Sequence, residues 1–266
     1  MNFHESLTTI LGNNLSDAWA QAFIKSYKVT GGVLSPGIVS FPVRDQEGSW
    51  VLENSTIRNA LEHQLDAFDI CSVNQSNIET VAGTIFPESI WKRCNRNRHK
   101  LFETYGKIWI QVKKCSANNR GTYFRRLTSY GNKSVNQLET IIDAWNSGTH
   151  RRSALQAGIF DPSQDHRKGP FLGFPCLQQV VFHPIGPNGS EGMTVVAFYA
   201  NQLLLKKAYG NYLGLYRLGK FMAAEMGLVL RGVTCIASNL KMSDNHGKGE
   251  CSDFARCLLK EVSNAN

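Results

Sequence analysis

Two hydrophobic periods run through the chain, one of three to four residues and one of two, and they interleave rather than separating into halves. Trp19, Ala22 and Phe23 fall on one helical face; Ser16 is positioned to cap that helix, and Gly31-Gly32 closes it shortly after Tyr27. A second helix is predicted over Ser55 to Phe68 from the spacing of Ile57, Ala60, Leu61, Leu65 and Phe68. A third follows the capping-box pattern Ser134-Val-Asn-Gln137, with Leu138, Ile141, Ile142 and Trp145 as its stripe and Gly148 as its stop. The fourth carries Tyr212, Leu215, Tyr216, Leu218, Phe221 and Met222 on a wide apolar face, between Asn211 as cap and Gly227. A short helical stretch, Phe254 to Val262, lies near the C-terminus.

The strand-like runs are shorter. Val33 to Val43 is broken by Pro36-Gly37 and Pro42, which predicts a strand at a sheet edge. The apolar run Phe171 to Phe182, interrupted by Pro175, and the run Met193 to Tyr199 flank the turn Gly186-Pro-Asn-Gly189 and are expected to pair. Val229 to Ile236 adds another strand. The reading is an α+β fold in a single domain over residues 1–266.

Composition changes this picture only in places. No stretch approaches the roughly eighteen apolar residues of a membrane span, and Met1 to Glu5 does not begin a basic-then-apolar leader, so a cytoplasmic protein with no membrane partner is expected. Seven cysteines, an odd number in a chain too long to depend on disulfides, suit a reducing compartment. A net charge of +8 points to anionic partners, whether phosphorylated metabolites or nucleic acid. Five of the ten residues from Trp91 to Lys100 are lysine or arginine. That run reads as a solvated helix face; nucleic acid is the less favoured partner because aromatic residues stand only at its ends, Trp91 and Phe102.

The candidate chemistry centres on Cys176. It follows a proline in an apolar run, and Arg151 and Arg152 lie 25 and 24 residues upstream on a segment able to pair beside it. Guanidinium groups near a thiol favour the reactive thiolate; the alternative is a buried structural cysteine. Arg151 and Arg152 suit bidentate phosphate binding, or simple solvation on a turn. Asn211 is either a helix cap or an amide that offers a donor and an acceptor to a base edge. His246, Cys251 and Cys257 lack metal-ligand spacing, so no metal is assigned.

In order along the chain, these residues resemble the thymidylate synthase superfamily, which includes the pyrimidine nucleotide hydroxymethylases. Arg120-Gly-Thr-Tyr123 resembles the segment ending in the family's active-site tyrosine, and Asn136-Gln137-Leu138 its helix start. His150-Arg151-Arg152 is similar to its paired arginines, Phe174-Pro175-Cys176 to its Pro-Cys motif, and Tyr209-Gly-Asn-Tyr212 through Gly227 to the helix bearing its base-reading asparagine. Ser89-Ile90-Trp91 resembles an Ile-Trp pair beside the family's cofactor pocket.

The resemblance implies a three-layer fold with a curved mixed β-sheet and flanking helices. It also implies a homodimer in which Arg151 and Arg152 reach the substrate phosphate of the neighbouring subunit. It assigns catalysis to Cys176, Asn211 and Tyr123, substrate binding to Arg151, Arg152 and Asn201, and a cofactor contact to Trp91. The implied reaction is methylation or hydroxymethylation at C5 of a pyrimidine nucleotide, with folate as the family's cofactor.

Departures from the pattern shape the expectation. Ala200 and Asn201 stand where the family has a phosphate-binding arginine and a serine, and Leu203 where an aspartate contacts folate. Lys241 and Ser243 replace a histidine and tyrosine that hold the ribose, and no later segment resembles the one that closes the family's site over folate. A substrate other than dUMP, and no folate held in the family's manner, are expected. The competing class is a synthase-fold protein that binds a nucleotide as a receptor or assembly platform without turnover. A further reading is a polynucleotide modifier guided by Lys92 to Lys100.

Overall fold

The computed structural model describes residues 7–44, 48–50, 53–70, 77–115, 118, 121–148, 151–166 and 175–264. Met1 to Glu5, Cys71, Arg120, His150 and the 171–174 part of the apolar run, all used above, lie outside the described residues.

The chain opens with strand β1 (Thr8–Leu11), helix α1 (Leu15–Lys28), β2 (Val33–Leu34) and β3 (Gly37–Pro42). A helical stretch follows: α2 (Ser55–Ala67), α3 (Asn77–Ile85), α4 (Glu88–Arg93), α5 (Arg98–Val112), α6 (Tyr123–Thr128) and α7 (Gln137–Asn146). Then come β4 (Gln156–Gly158), the single-turn α8 (Pro162–Asp165), β5 (Leu177–Ile185), β6 (Gly192–Tyr199) and β7 (Gln202–Leu203). A π-helical turn, Leu204–Ala208, runs into α9 (Tyr209–Glu225), and β8 (Leu230–Ala237), β9 (Leu240–Lys241) and α10 (Ser252–Asn264) complete the order. The fold is α+β. Among the described residues no helix is long and apolar enough to cross a membrane.

Six strands form one mixed sheet in the order β1-β3-β8-β6-β5-β4, and β2, β9 and β7 form a smaller one. The hairpin expected around Gly186-Pro-Asn-Gly189 is present, with Gln179 opposite Phe198 and Phe182 opposite Val195. The edge expected at Val33 to Val43 is present only in part: β2 flanks the smaller sheet, while β3 is interior. β3 lies between β1, parallel to it, and β8, antiparallel to it. Its prolines cost no ladder bonds because Pro36 precedes the strand and Pro42 is its last residue.

Strand alternation puts Val39, Phe41, Val180, Phe182, Val195, Ala197, Val233 and Cys235 on the buried face. The central helix α9 is buried almost all round, as its continuous apolar sequence requires. It approaches α3 closely at two glycines. A Cβ on Gly210 would stand 2.7 Å from the Ile78 carbonyl oxygen, and one on Gly214 would stand 2.8 Å from that of Ala82. Small residues one turn apart thus let two backbones meet, which fixes the first turn of α9 against α3.

Three caps differ from expectation. α1 starts at Leu15, and Asn14 caps it by accepting from Asp17 N; Ser16, inside the helix, instead bonds the Tyr209 hydroxyl at 2.8 Å. α7 is capped by Asn136, which accepts from Glu139 N, rather than by Ser134. α9 begins at Tyr209, so Asn211 lies within its first turn and caps nothing.

Candidate active site

A cavity of about 310 Å³ opens where α3, α6, β7, the π turn and α9 converge on the start of β5. Cys176, Tyr123, Asn201 and Asn211 all line it. Each arrives there for a local reason. Thr122 caps α6, accepting from Arg125 N, and its hydroxyl is held at 2.7 Å by Tyr105, so Tyr123 is the first helical residue and presents its ring to the cavity. Cys176 immediately precedes β5, where a register irregularity between Leu177 and Gln179 bends the strand; bulges of this kind re-aim side chains at sheet ends. The Cys176 carbonyl is tied by Ala200 N at 2.9 Å.

Asn211 is only 4% exposed, and among the described residues nothing bonds its amide. The amide lines the cavity, where a ligand could engage it. Asn201 is half-buried and receives a hydrogen bond on Oδ1 from Asn239 at 2.8 Å, which leaves its own N–H groups for other partners. Gln202, 2% exposed, accepts from the Tyr212 hydroxyl at 3.2 Å, while its Nε2 has no partner.

Burial pushes the Cys176 thiol above its ordinary value, and the charge of Lys207 opposes the rise. This corrects the expectation of a depressed thiol. Burial and the Cys176 charge likewise push the Tyr123 phenol well up, against backbone hydrogen bonds from Leu177 and Cys176. Tyr123 is therefore a neutral phenol at physiological pH, with its hydroxyl packed against Cys176. The side chain counts as half-buried by area only because the cavity opens onto its ring.

The arginines are elsewhere. β4 pairs antiparallel with β5, Gln156 opposite Val181 and Gly158 opposite Gln179, so the chain before β4 runs toward the far end of β5. Arg152 donates to the Gly186 carbonyl at 2.6 Å, and both arginines are exposed. The nine residues of β5 separate Gly186 from Cys176, about 30 Å at about 3.3 Å per residue. Within one chain Arg151 and Arg152 cannot activate Cys176, contrary to the pairing expected from sequence.

Trp91 is half-buried in an aromatic cluster, 5.0 Å from Phe221 and 6.3 Å from Phe86, and does not line the cavity. Its neighbours Ser89 and Ile90 line a second cavity of about 450 Å³, which adjoins the first across Thr84, Asn118 and Thr122. The residues present do not fit folate held in the family's manner. Leu203 puts an apolar side chain into the first cavity. In the second, Glu79 is committed to Arg58 and Arg217, and Glu88 to Lys92.

One cavity-lining residue escaped the sequence reading. Lys207 lines the Cys176 cavity and is the only charged side chain among its described lining residues. Its signal was a lysine one helical turn before Asn211, hence on the same face, second after the apolar run Leu203 to Leu205. The basic run from Lys92 to Lys100 is solvated at Lys92, Arg93, Arg96 and Lys100, while Arg98 is bound by Glu139, Asp143 and Glu225.

No protein-family model matches the chain, and no curated protein matches it.

Proposed function

We propose that the chain is a divergent thymidylate-synthase-like enzyme that transfers a one-carbon unit to C5 of a pyrimidine nucleotide through a covalent Cys176 adduct. The observation that carries this reading is the convergence of Cys176, Tyr123, Asn201 and Asn211, far apart in sequence, on one cavity of a size suited to a small ring. The unpartnered Asn211 amide adds weight, since a base edge would satisfy both its donor and its acceptor.

In this reading the Cys176 sulfur adds to C6, and the C5–C6 π pair moves toward the C4 oxygen. C5 then attacks a one-carbon electrophile. Tyr123, a phenol held against the sulfur, relays the C5 proton, and expulsion of Cys176 restores the ring. Asn211 donates to the oxygen that gains charge, an interaction whose removal costs about 10²–10³ in rate in comparable sites.

The same reading includes the family's curved-sheet fold and a homodimer that lends Arg151 and Arg152 to the neighbour's cavity. In its favour, the outer face of the six-stranded sheet carries exposed Leu11 and Phe198 and half-buried Ile38, Val181, Val196 and Ile236. A strictly monomeric species in sedimentation at micromolar concentration contradicts the dimer.

Hydrogen exchange at C5 tests the reaction without any one-carbon donor. Pyrimidine nucleotides incubated with the protein in deuterated water should lose their C5 proton signal, because addition at C6 makes C5 exchangeable. A panel of uridine, deoxyuridine, cytidine and deoxycytidine phosphates that all retain the signal while binding the protein favours the receptor reading instead. The observation on that side is the desolvated thiol, which burial biases toward the protonated form.

A further inference from the structure

We propose that Lys207 is the cation that favours the thiolate form of Cys176, filling within one chain the role that sequence adjacency suggests for Arg151 and Arg152. Both residues line the same cavity, Lys207 from the π turn and Cys176 from the start of β5. Lys207 has no ion-pair partner among the described residues, whereas the adjacent Lys206 is bound to Asp244 at 3.1 Å. Both lysines lie on the π turn, where consecutive side chains point in directions roughly 100° apart, as on any helix. Such turns are frequent at functional sites. Here consecutive lysines are sent to different partners: Lys206 to Asp244, Lys207 to the cavity.

Lys207 counts as exposed by area, yet protein surrounds its ammonium closely enough to lower its pKa by burial, followed by repulsion from Lys206. A cation in a concave, partly dry site acts on a neighbouring sulfur far more strongly than one on a convex surface. The other titratable groups around the pair are the Tyr123 phenol on α6, the Tyr199 phenol on β6 and the Lys206–Asp244 ion pair. Burial keeps both phenols protonated, and the ion pair is neutral as a unit. Lys207 therefore carries the uncompensated charge that faces Cys176.

The step is a simple ionisation. The S–H bond breaks, the proton passes to solvent through the open cavity, and sulfur keeps the electron pair under the ammonium. Where the pyrimidine reading applies, that pair forms the bond to C6; the pairing of Lys207 with Cys176 does not depend on it.

The test follows alkylation of Cys176 by iodoacetamide, with no nucleotide present, from about pH 6 to about pH 10. Peptide mass spectrometry reports wild type, Lys207→Met and Lys207→Arg, and thermal melting checks each fold. Lys207→Met should move the midpoint up by about one unit, slowing alkylation near neutral pH about tenfold, and Lys207→Arg should restore the rate. Lys207→Gln serves where the methionine variant does not fold. Superimposable profiles for wild type and the neutral variant, or an arginine variant that behaves like the methionine one, overturn the proposal. Because no nucleotide takes part, a Lys207-dependent thiol alongside absent C5 exchange would sink the pyrimidine reading and leave Lys207 standing.

Discussion

The two ends of β5 present opposite chemistry. At its start, Cys176 sits half-buried with an unbonded Asn211 amide, a neutral Tyr123 phenol and the unpaired Lys207 around one cavity. At its finish, Arg151 and Arg152 stand exposed, and Arg152 is engaged by the Gly186 carbonyl. The first end leaves polar groups facing a cavity, and among the described residues the buried Gln202 Nε2 beside it has no partner. The second satisfies a surface turn. Charge density in the sequence therefore did not mark the cation nearest Cys176 within one chain, and a lone cation in a concave site acts on its neighbours more strongly than two in water.

The sharpest way to break this contrast is Cys176→Ser. The substitution changes little in volume, so thermal melting should be nearly unmoved, while C5 hydrogen exchange should fall by about three orders of magnitude or more. Exchange that persists at the wild-type rate would show that the first end does no covalent chemistry.

Next in size is the double substitution Arg151→Ala with Arg152→Ala. If these side chains serve a neighbouring subunit's phosphate, nucleotide affinity should drop about tenfold to a hundredfold, since each charge-assisted bond contributes about 1.5–3 kcal/mol. Cys176 alkylation without ligand should not change, because about 30 Å of strand lies between. Alkylation that slows in step with affinity contradicts the separation of the two ends.

A smaller and more discriminating effect is expected from Asn211→Leu. Leucine has no amide to satisfy, so stability should stay constant or rise by up to about 1 kcal/mol, while nucleotide binding weakens about tenfold. Calorimetry and thermal melting on the same samples read both. A loss of stability would mean that the amide has a structural partner in solution. The pH dependence is smaller still. With the thiol raised by burial, wild-type alkylation should be slow near neutral pH and climb only as the pH passes above the ordinary thiol value, about 8.5.

Much of the fold was legible where one local signal decides. The spacing of Ile57, Leu61 and Leu65 produced α2 almost to the residue, and the Gly186 to Gly189 turn fixed the β5–β6 hairpin. Legibility failed where the deciding partner is distant. β3 reads as an edge because its prolines are visible while its neighbours β1 and β8, from opposite ends of the chain, are not. The caps failed for a different reason. Asn14 and Asn136 compete with Ser16 and Ser134 within two residues, and only backbone geometry separates them.

The cavity was legible in part for the same reasons. Cys176, Tyr123 and Asn211 stood out by order and motif, but their order says nothing of the direction in which β4 carries the arginines. Lys207 was hidden because the sequence shows two adjacent lysines and does not show which of them Asp244 engages.

The most direct test of Cys176 as a nucleophile toward a pyrimidine is the intact mass of the protein after incubation with 5-fluoro-pyrimidine nucleotides, followed by peptide mapping. Fluorine at C5 blocks loss of the substituent, so an adduct that forms at C6 persists. The expected result is a mass increase equal to one nucleotide, located on the peptide containing Cys176 and absent from Cys176→Ser. An unmodified mass across uracil and cytosine, ribose and deoxyribose forms, under conditions where the nucleotides demonstrably bind, contradicts the account.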